Sequence, residues 1–409
     1  MSSTRQYDIV LYGATGYTGK KTAEQIALQL PTDLKWALAG RTASKLEAVV
    51  AECKLLNPDR VQPAIEICDL DDAGLDALAK KTQILLSTVG PYALYGEHAF
   101  KACAENGTHY FDVTGEVPWV AAMIKKYEKT AKANGAIMIP QIGIDSAPAD
   151  LVTLKLVDFI RQKFSAPTGE VIVSLHELSA KPSGGTLNTI FTLLDVFSFG
   201  ELKAAHAPFG LSPIPGPKPR VSTSWIQKLL GIRVVPDLGI LTTSIGGVSD
   251  IPIVQRSWGL NGNYGPNFQV SEMMKARNYL QGAMIHFSLA LGSLLLVLPF
   301  FRQTARKYVY APGDGPTKSE TKNDRVEYRG IAKPDVDTPN APRAYCRVAY
   351  EGSLYEFTGL SLALAALTVL RDNHSNLTGG VYTPASLGQK FVDRLDSAGF
   401  KFETKLLEH

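Results

Sequence analysis

Three glycines spaced three residues apart could hold a diphosphate. Gly13, Gly16 and Gly19 follow an apolar segment and open a helical one. In nucleotide-binding units, the first glycine permits a tight turn, the second lets the backbone approach the diphosphate, and the third lets the helix lie close to the sheet. The free amides of the helix N-terminus favour the negative charge. The spacing therefore predicts a dinucleotide site. The other residues of this loop that we expect to contact the cofactor are Thr15, Tyr17 and Thr18.

The segment after the second predicted strand favours NADPH over NADH. An NAD site usually has an acid at the end of this strand, where it binds the ribose 2′-hydroxyl. Residues 38–45 contain no acid but two bases, Arg41 and Lys45. A 2′-phosphate is a dianion, which an acid would repel and a guanidinium can bind through two hydrogen bonds. We therefore predict NADP(H), with Arg41 as its main phosphate ligand. The residues that we expect to support Arg41 are Thr42, Ser44 and Lys45.

Further cofactor contacts are expected where the later strands end. The fourth predicted strand is followed by small residues, which would let the nicotinamide half cross the edge of the sheet. Asp69, after the third strand, either reaches the adenine or begins the next helix. The contacts predicted in these two loops are Asp69, Val89, Gly90 and Pro91.

Two side chains near the same edge are candidate proton donors. The one Tyr-x-x-x-Lys spacing, Tyr17 and Lys21, lies in the phosphate loop and first helix, which excludes the usual tyrosine–lysine pair of carbonyl reductases. Reduction of a C=C or C=N bond needs a hydride and a weak acid. Tyr92 and Asp145 are the candidate catalytic residues. The alternatives are a packed loop aromatic for Tyr92 and a helix cap for Asp145.

A glycine-containing segment could contribute to the substrate site. Ser183 and Thr186 flank two glycines at a predicted helix start, where free amides could bind a carbonyl oxygen. The alternative is an ordinary N-cap. The predicted substrate contacts are Tyr95, Ser183 and Thr186.

Alternating strands and helices indicate how these residues are brought together. Short apolar segments between Ile9 and Ile139 are separated by helical stretches, which is typical of βαβ units on a parallel sheet. We predict an α/β chain with a Rossmann domain, a doubly wound parallel sheet, over residues 1–149. An α+β domain for substrate binding or dimerisation is predicted over 150–379. Residues 380–409 are predicted to form a C-terminal helix that packs back on the first domain.

Composition excludes several other classes of protein. The 409 residues are 45% hydrophobic and 20% charged, as in ordinary globular chains. A net charge of +3 gives no case for a nucleic-acid partner. The four cysteines have no C-x-x-C spacing, so we predict no metal and a reducing compartment. The expected location is cytoplasmic. The weaker alternative is peroxisomal, because residues 404–406, Thr-Lys-Leu, resemble that address if the residues after them are foreign.

One apolar segment stands out in the second predicted domain. Residues 278–301 contain no Asp, Glu, Lys or Arg, and basic residues flank them on both sides. Three interpretations remain: a buried helix, a contact with a membrane surface or lipid droplet, and the wall of a tunnel for a hydrophobic substrate. A true membrane span is less favoured because His286 and Pro299 interrupt the segment.

Several motifs together resemble one enzyme family. They are Gly13 to Gly19, Ala39-Gly40-Arg41, Val89-Gly90-Pro91-Tyr92, Tyr110 to Glu116, Gly143 to Asp150, Ser183 to Thr186 and Gly380 to Ala385. This set resembles the saccharopine dehydrogenase-like oxidoreductases, in the branch that contains trans-acting enoyl reductases. The resemblance implies an NADP-binding Rossmann domain and an α+β domain whose sheet often supports a homodimer. It does not fix the substrate.

The function expected from these features is an NADPH-dependent reductase. Its substrate would carry a C=C (enoyl) or C=N bond on a hydrophobic polyketide- or lipid-like molecule, free or tethered to a carrier. A saccharopine-type dehydrogenase acting on a C–N bond is the first alternative. The second is a non-catalytic NADP(H)-binding protein associated with a membrane or lipid droplet.

Overall fold

The computed structural model describes residues 5–180, 184–218, 224–308, 314–338, 341–372 and 377–407. Strands and helices alternate regularly at first and then with longer irregular connections. The strands are β1 (Tyr7–Tyr12), β2 (Trp36–Gly40), β3 (Ala64–Ile67), β4 (Thr82–Ser87), β5 (His109–Asp112), β6 (Ile137–Ile139), β7 (Thr168–Ser179), β8 (Arg233–Val235), β9 (Gly239–Thr243), β10 (Gln269–Lys275), β11 (Arg325–Pro334), β12 (Arg343–Glu351), β13 (Gly380–Val381) and β14 (Lys401–Leu407).

Helices connect and cover these strands. They are α1 (Tyr17–Gln29), α2 (Ala43–Leu56), α3 (Asp72–Lys81), α4 (Tyr92–Tyr95), α5 (Glu97–Asn106), α6 (Val117–Asn134), α7 (Ala147–Phe164), α8 (Gly184–Val196), α9 (Phe199–Ala205), α10 (Trp225–Leu230), α11 (Gly247–Asn261), α12 (Tyr279–Val297), α13 (Pro299–Ala305), α14 (Leu354–Arg371) and α15 (Gly388–Ser397). Short 3₁₀ turns follow α13 and precede α15.

The first sheet is parallel, with the strand order β13-β6-β5-β4-β1-β2-β3. Its central strands are apolar runs such as Ile84-Leu85-Leu86, which are buried because the connecting helices cover both faces. The strand order reverses between β1 and β4, and open α/β sheets bind ligands at such a switch point. The predicted Rossmann domain is therefore confirmed, and its ligand edge is the one where the strands end.

The second sheet is mixed, with the order β14-β12-β11-β7-β10-β9-β8. The neighbours β7 and β10 are parallel, and the other pairs are antiparallel. Helix α7, which leaves the first sheet after β6, packs on β7, β11 and β12. This confirms an α/β chain in which an α+β domain follows the Rossmann domain, and it places α7 between the two sheets.

Two segments connect the domains from the C-terminal side. Helix α14 packs so closely on α1 that a Cβ on Gly359 would lie 2.8 Å from the amide nitrogen of Thr22. Residues 380–407 then supply β13 to the first sheet, α15 against α14, and β14 to the second sheet. The segment predicted as a single returning helix thus also carries one strand of each sheet. A two-residue strand and a largely polar edge strand leave little hydrophobic pattern to detect.

The apolar segment 278–301 forms α12 and the start of α13. Only Gly282 of α12 is buried, so a helix buried within the chain, one of the three interpretations, is wrong. The helix is fastened at its first turns, where Thr242 Oγ1 donates to Gly282 O at 2.7 Å and Thr243 Oγ1 lies 2.7 Å from His286 Nδ1. By length and apolar composition alone, two described helices could cross a membrane: α12 and α14, of which α14 is mostly buried.

Candidate functional site

The phosphate loop has the geometry that its glycines predict. Gly13 has φ +86°, and a Cβ there would lie 2.7 Å from Val89 Cγ2. A Cβ on Gly19 would lie 2.1 Å from Gly13 O, because α1 begins directly against the loop. Gly16 differs, since the nearest protein atom to its Cβ position is 3.5 Å away. Gly13 and Gly19 are therefore required by the fold, whereas Gly16 leaves an open cradle for a ligand.

No side chain of the first turn offsets the partial positive charge at the N-terminus of α1. Gly16 is its N-cap residue, with no side-chain cap and no acid in the first turn. Such a terminus stabilises a diphosphate. Thr15 and Thr18 are partly exposed beside it. The Tyr17 phenol turns away from the loop, because its hydroxyl donates to Pro316 O at 2.7 Å and its ring contacts Tyr355. We therefore expect Tyr17 to bind cofactor through its backbone.

The residues predicted to bind the 2′-phosphate lie together at the end of β2. Arg41 follows the strand directly, and its guanidinium makes no hydrogen bond or ion pair with any residue that the structure describes. Thr42 is the N-cap residue of α2, but its hydroxyl does not cap the helix. The exposed side chains at this corner are Arg41, Thr42, Ser44 and Lys45. A dianion would find free donors and a helix N-terminus here.

The next two loops complete a groove along the same edge. Asp69 is exposed after β3, and the cap of α3 is Asp71, whose carboxylate accepts from Gly74 N at 2.7 Å. Asp69 is therefore not needed to start the helix, which leaves it available to an adenine or ribose. Val89 and Gly90 are accessible after β4, whereas Pro91 is buried behind them at a cis peptide bond.

Tyr92 does not face the cleft, contrary to its candidate role as a proton donor. The phenol is buried against Trp119, with ring centroids 5.4 Å apart. Its hydroxyl donates to Ser87 O at 2.9 Å. Burial raises the pKa of Tyr92 well above its ordinary value. The alternative of a packed loop aromatic describes the structure, because the short helix α4 turns the ring beneath the sheet edge.

Sequence reasoning gave no role to Glu116, which holds this loop in place. Its carboxylate is buried and accepts hydrogen bonds from the backbone amides of Tyr92 and Ala93, both at 2.7 Å. Thr189 of α8 lies 3.4 Å from the same carboxylate. Glu116 thus caps α4 and ties it to α8. Its position four residues after β5, at the ligand edge of the sheet, was the available signal.

Asp145 lies free at the carboxyl edge. It belongs to the loop between β6 and α7, but Ser146 occupies the N-cap position of that helix, so the helix-cap alternative for Asp145 is wrong. Its carboxylate makes no hydrogen bond with any described residue. The side chain is exposed, yet enough protein surrounds it that desolvation raises its pKa. These properties describe an accessible acid at the carboxyl edge of the sheet, beside the loop that carries Gly115.

Three buried polar residues of the second domain lie near this loop. Asp250 on α11 and Tyr328 on β11 interact electrostatically with Asp145, and Glu272 on β10 lies near Asp250, beside Gly246. Electrostatic repulsion from Asp145 contributes to the raised pKa of Asp250 and of Tyr328. The available signal for Glu272 was an acid within a strand whose same-face neighbours, two residues to either side, are the apolar Val270 and Met274. The side chains meet only because α7 and β7 bring the second sheet against the edge of the first.

The predicted substrate residues are less fully described. Tyr95 is exposed at the end of α4, next to α8. Ser183 lies outside the described residues. Thr186 lies in α8, but its side chain is also outside them. Helix α8 is fastened at its other end, where Arg302 and Arg306 form ion pairs with Asp195 at 2.9 and 2.5 Å.

The assembled site combines a dinucleotide groove with one free acid. The groove runs from Arg41 past Gly16 to Gly90 along the ends of β2, β1 and β4. Asp145 stands beyond its far end, after β6. A groove of this kind can hold a redox dinucleotide, and an acid beyond the switch point can exchange a proton with a reacting molecule beside it.

A family model supports the assignment of the groove. Residues 9–139 match the model described as the saccharopine dehydrogenase NADP binding domain. The match spans β1 to β6, which includes Gly13, Arg41 and Gly90. The cofactor is therefore NADP(H), and the accessible glycine cradle and the free guanidinium fit a diphosphate and a 2′-phosphate.

Curated relatives are similar over nearly the whole chain. A trans-acting enoyl reductase of Mycobacterium leprae is 32% identical over 98% of this chain and 99% of its own. One of Mycobacterium tuberculosis is 30% identical over 98% and 99%. The human saccharopine dehydrogenase-like oxidoreductase is 28% identical over 97% of each chain. The solved apo saccharopine dehydrogenase (L-Glu forming) of Saccharomyces cerevisiae is similar in fold, with a TM-score of 0.56, 12% identity and coverage of 98% and 100%.

Proposed function

Since the chain belongs to the saccharopine dehydrogenase-like oxidoreductase family, we propose that it saturates the C=C bond of an enoyl group on a long hydrophobic substrate. The reductant is NADPH, and the substrate is carried as a thioester. The relatives named trans-acting enoyl reductases support this choice of bond. The free carboxyl of Asp145 is the observation that carries the proposal, because the second half of such a reduction is a proton transfer.

In the proposed reaction the cofactor supplies the hydride, and the residues of the chain bind the cofactor and supply the proton. Bound NADPH supplies the hydride, which together with one proton saturates the double bond. Gly16 and the α1 amides hold the diphosphate, and Arg41 holds the 2′-phosphate. Asp145 in its acid form would donate a hydrogen bond to the thioester oxygen, where negative charge develops as the β-carbon gains the hydride, and would then give its proton to the α-carbon. A carboxylic acid kept neutral by its surroundings is suited to this role, because it can donate where a carboxylate would repel.

The helices next to α4, which carries Tyr95, suit a hydrophobic substrate. Helix α8 contacts α4 at the cleft and α12 on its other side. We call the exposed apolar side chains of α10, α12 and α13 the apolar helical surface; it includes Trp225, Ile226, Leu229, Leu280, Met284, Phe287, Leu291, Leu294 and Phe300. Contiguous exposed apolar surface of this kind marks an interaction site. An acyl chain that enters along α8 would pass from this surface to the acid.

Oxidation of NADPH by matched acceptors tests the reaction. We expect single-turnover oxidation of bound NADPH by a long-chain trans-2-enoyl thioester, followed as loss of the reduced-nicotinamide signal. The saturated thioester of equal length is the control and should give no oxidation, because it has no bond to reduce. The β-keto thioester should also be inert, because the chain lacks the tyrosine–lysine pair of carbonyl reductases at its edge.

Two other outcomes would reject the enoyl proposal. Oxidation by an imine but not by any enoyl thioester would identify a C–N dehydrogenase of the saccharopine type. Tight NADPH binding with no oxidation by any acceptor would identify a binding protein that keeps the cofactor fold without turnover.

We also propose that the apolar helical surface rests on a membrane or lipid-droplet surface, from which the substrate is drawn. Each large side chain buried in lipid contributes about 1.5–3 kcal/mol. Replacing Phe287 and Leu291, both exposed on α12, with aspartate should therefore reduce co-sedimentation with vesicles containing anionic lipid by at least about a hundredfold.

An exposed leucine elsewhere provides the matched control. Leu55 on α2 is 85% exposed and far from α12 in the chain. The double variant Leu55→Asp/Leu56→Asp, which also replaces the neighbouring exposed leucine of α2, adds the same two negative charges and should leave vesicle binding unchanged. Equal binding by the α12 double variant and the wild type would refute the membrane contact and would favour a protein partner for this surface.

A further inference from the structure

Tyr17 and Lys21, the one Tyr-x-x-x-Lys spacing in the chain, both bind residues of the second domain. A separation of four places their side chains on one face of α1. Lys21 is buried, and its ammonium forms ion pairs with Glu24 at 2.9 Å and with Glu356 of α14 at 3.0 Å. The Tyr17 hydroxyl donates to Pro316 O at 2.7 Å. The two residues therefore fasten the phosphate-binding helix to the segments that surround the second sheet.

The backbone at Gly315 lies directly against the Tyr17 ring. A Cβ on Gly315 would lie 2.8 Å from both Cδ1 and Cε1 of that ring, so a larger residue would push the two segments apart. The same ring contacts Tyr355, at the start of α14, with ring centroids 4.9 Å apart. Pro316 is buried, and the Tyr17 side chain is half-buried. We call Gly315, Pro316 and Tyr355 the clasp.

The clasp is built on the paired ends of two strands of the second sheet. Gly315 and Pro316 belong to the connection that leads into β11, and Tyr355 follows the end of β12. The last residue of that connection is Asp324, whose carbonyl oxygen accepts from Gly352 N at 2.9 Å. Strands β11 and β12 then pair from their first register position onward. The position of the clasp is therefore set by the second sheet.

The first turn of α1 needs support that leaves its amides free. Gly16, its N-cap residue, has no side-chain cap, and a cap would occupy amides that the diphosphate requires. Tyr17 is the first residue of the helix. Its bond to Pro316 uses the phenol, so no backbone amide of the turn is spent on it. The clasp can thus hold the turn in place without blocking the ligand.

We propose that the clasp makes the second domain part of the NADP(H) site, with Tyr17 as a positioning residue. The phenol keeps the first turn of α1 in the conformation that binds the diphosphate, so less ordering is needed when the cofactor binds. By linkage, the bound cofactor stabilises the clasp to the same extent. The effect concerns the diphosphate, which NADPH and NADH share, and it is independent of the bond that the enzyme reduces.

The affinities for both cofactors test where the clasp acts. Tyr17→Phe keeps the ring but loses one hydrogen bond, and it should weaken NADPH and NADH by the same factor, about two- to tenfold. Gly315→Ala, which separates the connection from the ring, should also weaken both. Because the two variants break one contact, the double variant should lose much less affinity than the product of the single effects. The fluorescence of the bound reduced nicotinamide gives each affinity.

Matched controls remove or add the same groups elsewhere. Tyr7→Phe removes a hydroxyl that donates to Glu66 at 2.9 Å, at the start of β1 and so at the opposite edge of the sheet. Gly292→Ala adds a methyl group where no neighbouring atom lies within 4 Å. Both should bind the two cofactors as the wild type does. Unchanged affinities in Tyr17→Phe and Gly315→Ala would overturn the proposal, and so would a loss confined to NADPH, which would place the effect at the 2′-phosphate.

Amide hydrogen exchange in the full chain measures the linkage without any substrate. Addition of NADP⁺ should slow exchange in residues 314–324 of the wild type and of Tyr7→Phe, and should slow it less in Tyr17→Phe. A merely structural role for Tyr17 would alter exchange in the free protein but not its response to NADP⁺. Exchange in residues 314–324 that does not respond to NADP⁺ in the wild type would overturn the link between the cofactor and the second domain.

Discussion

Asp145→Asn should slow the reduction of a long-chain enoyl thioester by a factor of about 10²–10⁴, the usual contribution of a positioned general acid. Asparagine has nearly the same shape, but it cannot give up a proton. The loop should keep its conformation, because the Asp145 carboxylate makes no hydrogen bond with any described residue. The measurement is the single-turnover rate of NADPH oxidation, with NADPH affinity measured separately and expected to be unchanged.

The reduction rate should also depend on pH in a direction that the raised pKa of Asp145 determines. Because desolvation raises the pKa of Asp145, the acid form persists to higher pH than for an ordinary aspartate and is lost as pH rises through the raised value. The wild-type rate should therefore fall on the alkaline side, and Asp145→Asn should lack that fall. Asp59→Asn, at an exposed site on the α2–β3 connection, is the control. A rate for Asp145→Asn within about threefold of the wild-type rate would show that water delivers the proton.

Arg41→Ala should weaken NADPH binding by about 1.5–3 kcal/mol, the range for a charged hydrogen bond. The guanidinium has no partner among the described residues, so its loss should leave the fold intact and should remove only the ligand contact. NADH, which lacks the 2′-phosphate, should bind to the variant almost as it does to the wild type. Titration of the bound nicotinamide's fluorescence gives both affinities.

A neighbouring base supplies the control for Arg41. Lys45 is exposed on the first turn of α2, and Lys45→Ala should have a smaller effect, because an exposed lysine holds a phosphate less specifically than a guanidinium. Equal losses of NADPH and NADH affinity in Arg41→Ala would contradict the 2′-phosphate assignment.

The Rossmann domain could be predicted from local patterns. Its strands are short apolar runs, its helices begin and end at recognisable residues, and Gly13 and Gly19 have steric reasons to be glycine that are visible in their spacing. Arg41 could be identified because it directly follows β2, and a side chain in that position lies at the ligand edge of the sheet. These features depend on neighbours in the chain, so sequence is sufficient for them.

The catalytic side could not be resolved in the same way. Tyr92 and Asp145 both follow strands of the first sheet. Only the tertiary structure shows that the Tyr92 ring turns inward and that the Asp145 carboxyl stays accessible. Ser249 and Asp250, which lie near Asp145, are more than a hundred positions further along the chain, on α11. No local pattern relates Asp250 to Glu272. Asp250 and Glu272 come close to the first sheet only because α7 packs on β7, β11 and β12 of the second sheet.

The route of residues 380–407 bears on how the protein is made. This segment places β13 beside β6 and β14 beside β12, so each sheet lacks an edge strand until residues 380–407 have left the ribosome. Domains usually fold in turn as they emerge during synthesis. Here β6 stays unpaired on one side until β13 has been made, and residues 380–407 complete both sheets. A chain halted by premature termination before residue 380 would leave two incomplete domains rather than one finished and one missing.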